Sequence, residues 1–135
     1  MKNSLLKKEN QIIRILETQD DKVLVIPCTK KSMPKWIDKT LLQNYISCTE
    51  EELLSATNTV LFDLDTLDNK SKKTAHQRYT LVASILPFIG NKNYRNYAID
   101  KISADSNISK QTIRHYLCQY LIYQNISILA PKQLT

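Results

Sequence analysis

Ile99–Leu117 reads IDKISADSNISKQTIRHYL, and this stretch decides how the C-terminal half of the chain should fold. It contains two short helical patterns hinged at Ser106-Asn107-Ile108. Ile99 and Ile102 put apolar groups on one helical face, and Ser103 is small enough for a second helix to cross closely. Asn107 falls where the turn needs a left-handed residue, a conformation Asn tolerates better than most. Ser109 is a natural N-cap for the next helix, which is expected to bury Ile113, Tyr116, Leu117 and Tyr120. The pattern predicts a helix-turn-helix whose second helix presents Lys110, Gln111, Arg114 and His115 outward. Such an arrangement suits duplex DNA.

A helical projection sharpens the expectation. With Ile113 at the centre of the buried face, Leu117 and Tyr120 fall within about 40° of it. Gln111, His115 and Cys118 point nearly opposite, and Thr112, Arg114 and Gln119 lie on the flanks. The first turn of such a helix faces base edges in the major groove. Gln111 can pair bidentately with adenine, and His115 stands beside it. Arg114 either reads guanine or holds phosphate, while Lys110 grips phosphate. Ser109 can cap the helix and still offer its backbone N–H to a phosphate, with Thr112 next to it. In the preceding helix, Lys70, Lys72, Lys73, His76 and Arg78 crowd the start. Flanking helices of this motif cross the DNA backbone, so Lys72, Lys73 and Arg78 are candidate phosphate contacts. Lysine at a helix N-terminus opposes the dipole, so a solvated linker end is the competing reading. Lys92 and Arg95, beside the next helix break, form a second tier.

The charge distribution argues the same way. Residues 1–69 hold nine Lys/Arg against eleven Asp/Glu, and residues 70–135 hold ten against two. The first part is thus −2 and the second +8, which is the footprint expected of polyanion binding. Fifteen Lys, ten Asn and fifteen Ile point to an AT-rich coding bias. Such a bias acts on both halves alike and leaves the asymmetry unexplained.

Length and composition set the outer bounds. The 135 residues suffice for one compact domain or two small modules. No stretch approaches the roughly 18–20 apolar residues of a membrane span, and MKNSLLKKENQ lacks the apolar run of a secretory signal. Cys28, Cys48 and Cys118 are widely spaced, without paired zinc-ligand spacing, and read as reduced thiols. A bacterial cytoplasm, with association to the nucleoid, is the expected location. No cofactor, metal or membrane is expected.

Along the chain, Gln11–Thr18 (QIIRILET) and Lys22–Pro27 (KVLVIP) are β-branched runs separated by Gln19-Asp20-Asp21 and read as a β-hairpin. A lone hairpin is marginal and must pack on something. Asp38–Ile46 and Thr49–Ala56 read as short helices, the second opened by a capping box of Thr49 and Glu52. Thr57–Asn69 is a polar, acidic connector. Lys73–Ile89 reads as a helix that Pro87 kinks or ends early. Tyr94–Asp105 and Lys110–Gln124 complete a three-helix unit. The tail ISILAPKQLT carries no helix signal and reads as a linker. The expected fold is α+β, mostly α, in three parts. These are an N-terminal hairpin-and-helix segment (1–69), a helix-turn-helix domain (70–126) and a linker or tail (127–135).

One segment imitates an enzyme motif. Val60–Leu67, VLFDLDTL, resembles the first motif of haloacid-dehalogenase-type phosphatases, where an apolar strand precedes Asp-x-Asp and then Thr. Asp63 and Asp65 have that spacing, but Thr66 arrives one residue early with no Gly before it. Only helical patterns follow, not the alternating strands and helices such a site needs. His76 and His115 lack nucleophile partners of recognisable spacing, and a glycine-rich phosphate loop is excluded with Gly90 as the only glycine. The chain is expected not to be an enzyme by itself.

The order of these features resembles the N-terminal region of Mu-like transposases of the retroviral-integrase superfamily, especially the end-binding TnsB-type subunit. The resemblance runs through five segments: QIIRILETQDDKVLVIP, then SMPKWIDKTLL with TEEELL, KSKKTAHQRYTLVASILPFI, NYAIDKISADSNISKQTIRHYLCQYL and NISILAPK. It spans nearly all 135 residues, and SNISKQTIRHYLCQYL with its LAPK tail is the strongest match. Asn107 departs from the usual turn Gly, and Gln119 and Ile122 stand where the family tends to be more aromatic or basic. The resemblance implies sequence-specific binding of double-stranded DNA at transposon ends, positioning a nuclease with three carboxylates and two magnesium ions. The chain stops before such a domain could begin, so it reads as a fragment or a short relative. Partners implied are double-stranded DNA, other transposition subunits and further copies of the chain on DNA. Two other readings stay open: a small transcriptional regulator that dimerises through its N-terminal half, and a protein-interaction module in which the motif is merely structural. The hairpin's role is also open between DNA contact through Lys22, Lys30 and Lys31, docking of a partner and completion of a core.

Overall fold

A computed structural model describes residues 2–131. The protein is α+β and divides into two compact units, one ending at Val60 and the other beginning at Leu61.

The first unit is a five-stranded antiparallel sheet with one helix. Its strands are β1 (Leu5–Lys8), β2 (Gln11–Gln19), β3 (Lys22–Pro27), β4 (Lys35–Asp38) and β5 (Ile46–Cys48), in the order β4-β3-β2-β1-β5. The expected hairpin is present as β2 and β3, paired from Gln19–Lys22 to Ile13–Pro27, but it is the middle of a larger sheet. Two-residue turns close the β1–β2 and β2–β3 hairpins, and Glu9 and Asp20 take positive φ there (55° and 54°). Between Ile15 and Glu17 the register slips by one residue, so β2 carries a bulge. Ile13, Ile15, Val23 and Val25 form a core cluster on one face, with Leu6, Ile37, Leu42 and Tyr45 against it. The other face carries Leu5, Ile12, Arg14, Leu24 and Ile26, all buried too. Burial on both faces explains why these strands read as continuous apolar runs instead of alternating ones.

Helix α1 (Glu50–Ala56) follows the sheet, and its capping box is formed in full. The Glu52 N–H donates to Thr49 Oγ1 at 3.0 Å, and the Thr49 N–H donates to Glu52 Oε2 at 2.8 Å. Arg14, almost wholly buried, makes a forked ion pair with Glu50 (2.6 and 3.2 Å) and donates to the Asn3 carbonyl at 2.7 Å. These bonds satisfy a guanidinium that would otherwise be costly inside.

The expectation of a helix over Asp38–Ile46 is overturned. The segment is the end of β4, a single 3-10 turn (Lys39–Leu42) and the start of β5. A nine-residue helix is marginal by itself. Here Asp38 pairs with Lys22 of β3 and Ile46 with Lys7 of β1, so both ends of the segment take their backbone partners from the sheet.

The second unit is helical. It comprises a 3-10 turn (Leu64–Thr66), α2 (Asn69–Ala83), a 3-10 turn (Leu86–Phe88), α3 (Lys92–Ser106), α4 (Lys110–Tyr123) and a last 3-10 turn (Ile126–Leu129). Ala75, Val82, Ile85, Ile99, Ile113, Leu117 and Leu121 make its core. Helix α2 ends six residues short of the expected Ile89, because the chain turns through Ser84 and Ile85 into the Pro87-bearing 3-10 turn. The tail is also different from the expected linker. Ser127 and Leu129 are buried, and the Leu129 carbonyl accepts from Arg78 Nη1 at 2.9 Å. Its last four residues, 132–135, lie outside the described residues.

The Asp-x-Asp segment lacks the strand its look-alike motif requires. Asp63 Oδ1 accepts the Asp65 N–H at 3.1 Å and caps the Leu64–Thr66 turn, while every described strand lies between Leu5 and Cys48.

Candidate nucleic-acid interface

The link between α3 and α4 is three residues long, Asn107–Ser109. Asn107 is left-handed (φ 61°, ψ 26°), and its N–H closes the end of α3 on the Ser103 carbonyl at 3.0 Å. Ser103 Oγ donates to the Ile108 carbonyl at 2.6 Å, and the Ile108 N–H donates to Ser106 Oγ at 3.3 Å. The serines therefore satisfy turn backbone that a larger apolar residue would leave unpaired. Ser109 then caps α4: its Oγ accepts the Thr112 N–H at 3.1 Å and donates to Thr112 Oγ1 at 2.9 Å.

Helix α4 is exposed at its start and sinks into the core towards its end. Ser109, Lys110, Gln111 and His115 are exposed, and Thr112 and Arg114 are half-buried. Ile113 and Leu117 are wholly buried on the opposite side, and Leu121, Ile122 and Tyr123 are all buried in the last turn. Tyr116 and Tyr120, expected in the core, are only half-buried. Tyr120 packs on Tyr79 with ring centroids 5.1 Å apart, and Tyr116 lies under Arg78. Lys110 pairs with Asp100 of α3 at 3.2 Å, with both side chains about half exposed. This pair places a carboxylate next to the candidate surface, which the sequence reading did not anticipate.

Helix α2 begins with exposed Lys70 and Lys73 and half-buried Lys72. Its N-cap is Asp68, which accepts the Ser71 N–H at 2.7 Å. That backbone bond, with the Ser71 side chain, holds the Asp68 carboxyl below its ordinary range. The carboxylate offsets the unfavourable placing of lysines at a helix N-terminus. Asp at this point in DNKS was a legible cap signal, obscured by reading the whole segment as a connector.

Two candidate phosphate contacts are engaged within the fold, Arg95 by burial and Arg78 through a half-buried side chain. Arg95 is only 6 % exposed and donates to the Ile89 carbonyl at 3.0 Å, closing the turn before α3. Burial pulls its pKa down. Arg78 is committed to the fold, for its guanidinium holds the tail at Leu129 and sits 5.0 Å from the Tyr116 ring centroid. Projection on a lone helix missed both, because their neighbours come from other elements. Cys118 is corrected in the same way: it is half-buried, and burial raises its thiol to about 11 with Arg95 nearby opposing the shift. Cys28 is raised to about 12 by burial. Such thiols are poor nucleophiles at neutral pH.

The unit boundary also changes the charge contrast. Asp63, Asp65 and Asp68 belong to the second unit, so residues 1–60 carry nine Lys/Arg against eight Asp/Glu and residues 61–135 ten against five. The second unit remains the basic one, at +5 against +1.

Among the described residues, no group of three or more His, Cys, Asp or Glu is placed to hold a metal ion, and no helix is long and apolar enough to cross a membrane. No protein-family model matches the chain, and no curated protein matches it in sequence.

Proposed function

We propose that this protein binds double-stranded DNA in a sequence-specific way through a helix-turn-helix formed by α3, Asn107–Ser109 and α4, with α2 as the third helix. One observation carries the reading. Gln111 and His115 are exposed on the first two turns of α4, directly behind a Ser-capped three-residue turn, while Ile113 and Leu117 lock the opposite face into the core. A recognition helix needs that division between a rigid back and a polar front. Gln111 and His115 read base edges, and Arg114 reads guanine or holds phosphate from the flank. Ser109, Lys110 and Thr112 position the backbone at the start of α4, and Lys72 and Lys73 at the start of α2. The resemblance to TnsB-type N-terminal regions supports transposon ends as the target. It also supports other transposition subunits as partners and the nucleoid as the setting. In this reading the chain recognises DNA and leaves strand-transfer chemistry to a separate nuclease domain.

The test is selection of duplexes from a random pool, followed by titration of the selected site. Gln111→Ala and Arg114→Ala should each weaken specific binding by about 1–3 kcal/mol and relax the preference at one position. Retained affinity and preference in the double variant, with helical content intact, would refute the reading.

A further inference from the structure

The ion pair at the start of α4 works against the proposed DNA surface. Lys110, the first residue of α4, faces Asp100 of α3 at 3.2 Å, and both side chains are about half exposed. Lys72, Lys73 and Arg114, the other cations of that surface, have no such carboxylate partner among the described residues. Asp100 and Asp105 are the only acids in residues 70–135, which hold ten Lys/Arg. Asp105 is also exposed on α3, but five residues further on it lies about 140° round the helix. The two acids therefore carry the same charge on different faces, and Asp100 is the one in an ion pair with α4.

We propose that Asp100 determines specificity: it keeps Lys110 from the phosphates of any duplex on which α4 is not seated, and yields it when α4 enters its own site. The inference rests on the DNA-binding reading above. On an arbitrary sequence the chain is held by phosphate contacts alone, and each cation committed to a phosphate releases further counter-ions. With Lys110 kept by Asp100, that complex lacks one contact and has a carboxylate set against the phosphates. On the correct sequence, Gln111 and His115 fix α4 in the groove, and the phosphate beside its first turn stays within reach of Lys110. An exposed ion pair is weak in water, so Lys110 then transfers from Asp100 to the phosphate. Asp100 thus lowers binding to wrong sequences more than to the right one. Discrimination of this kind comes from an element unfavourable to the competitor.

The test compares affinity against salt for the full chain on two probes, a random-sequence duplex and the duplex selected from the random pool. Asp100→Asn should bind the random-sequence duplex several-fold more tightly. Its slope of log affinity against log salt there should be steeper by about 0.9, the value of one phosphate. On the selected duplex the slope should match the wild type and the gain should be smaller, so the ratio of the two affinities falls. Asp100→Ala should act alike, since the effect comes from removing a charge and not from a new amide bond. Asp105→Asn removes the same charge from another face and should leave the ratio unchanged. In a Lys110→Gln background, Asp100→Asn should no longer steepen the slope. Asp100 and Lys110 are exposed, so none of these exchanges disturbs the core. No gain in Asp100→Asn, equal gains on both duplexes, an equal effect of Asp105→Asn, or steepening that survives Lys110→Gln would each overturn the proposal. A chain that binds no duplex, or selects none, refutes the DNA-binding reading itself and this inference with it.

Discussion

Asn107 shows how much one residue decides. Its left-handed backbone turns the chain between α3 and α4 and fixes where the exposed start of α4 lies. Alanine adopts that conformation at a cost of roughly 1–2 kcal/mol, so Asn107→Ala should lower the stability of the helical unit by about that amount in urea titration. Asn107→Gly should be tolerated, since glycine has no Cβ to clash. Arg78 makes the complementary point. It looked like a phosphate contact from its place in a basic cluster, but it bonds Leu129 and covers Tyr116. Arg78→Ala should therefore destabilise the fold by about 1–3 kcal/mol while leaving the salt dependence of DNA binding unchanged. A shallower salt slope with unaltered stability would return Arg78 to the DNA surface.

At the scale of elements, local signals succeeded where the partner was in the same element. Thr49 and Glu52 complete each other's bonds within one turn, and Ser109 caps α4 within three residues. The α1 box also has a pH signature. Lys7 donates to Glu52 at 2.7 Å, and this bond, followed by the Thr49 N–H, depresses the Glu52 carboxyl from 4.5 to about 2. A carboxyl depressed in the folded state stabilises above its unfolded pKa, and that contribution disappears as pH falls from about 4.5 through about 2. Acid titration of Glu52→Gln should be flatter than wild type within that window. Equal acid sensitivity would mean the surface pair is too well solvated to matter. Local signals failed over Asp38–Ile46. Its helix-like spacing gave way to a 3-10 turn held between Asp38, paired with β3, and Ile46, paired with β1, and no local pattern in Asp38–Ile46 encodes those partners.

At the scale of the whole molecule, exposed charge sets how the chain would meet DNA in the proposed reading. Lys72, Lys73, Lys110 and Arg114 are the cations left on the proposed surface once Arg78 and Arg95 are assigned to the fold. Neutralising about four phosphates predicts a slope of about −3 to −4 for log affinity against log salt. A slope near zero would show that electrostatics does not drive binding. A symmetric dimer on a palindromic site would favour a small regulator, whereas monomers on direct repeats would fit transposon ends. Sequence by itself determined the places of α3, the left-handed Asn107 turn and α4, the Thr49 and Ser109 caps, the central hairpin and the basic character of the C-terminal half. Those features depend on backbone preferences and contacts within a few residues. Only tertiary structure decided that the hairpin is the middle of a five-stranded sheet, that the tail folds onto α2, and which arginines face inward. Those outcomes depend on neighbours tens of residues away, and a short segment does not record what will be packed against it.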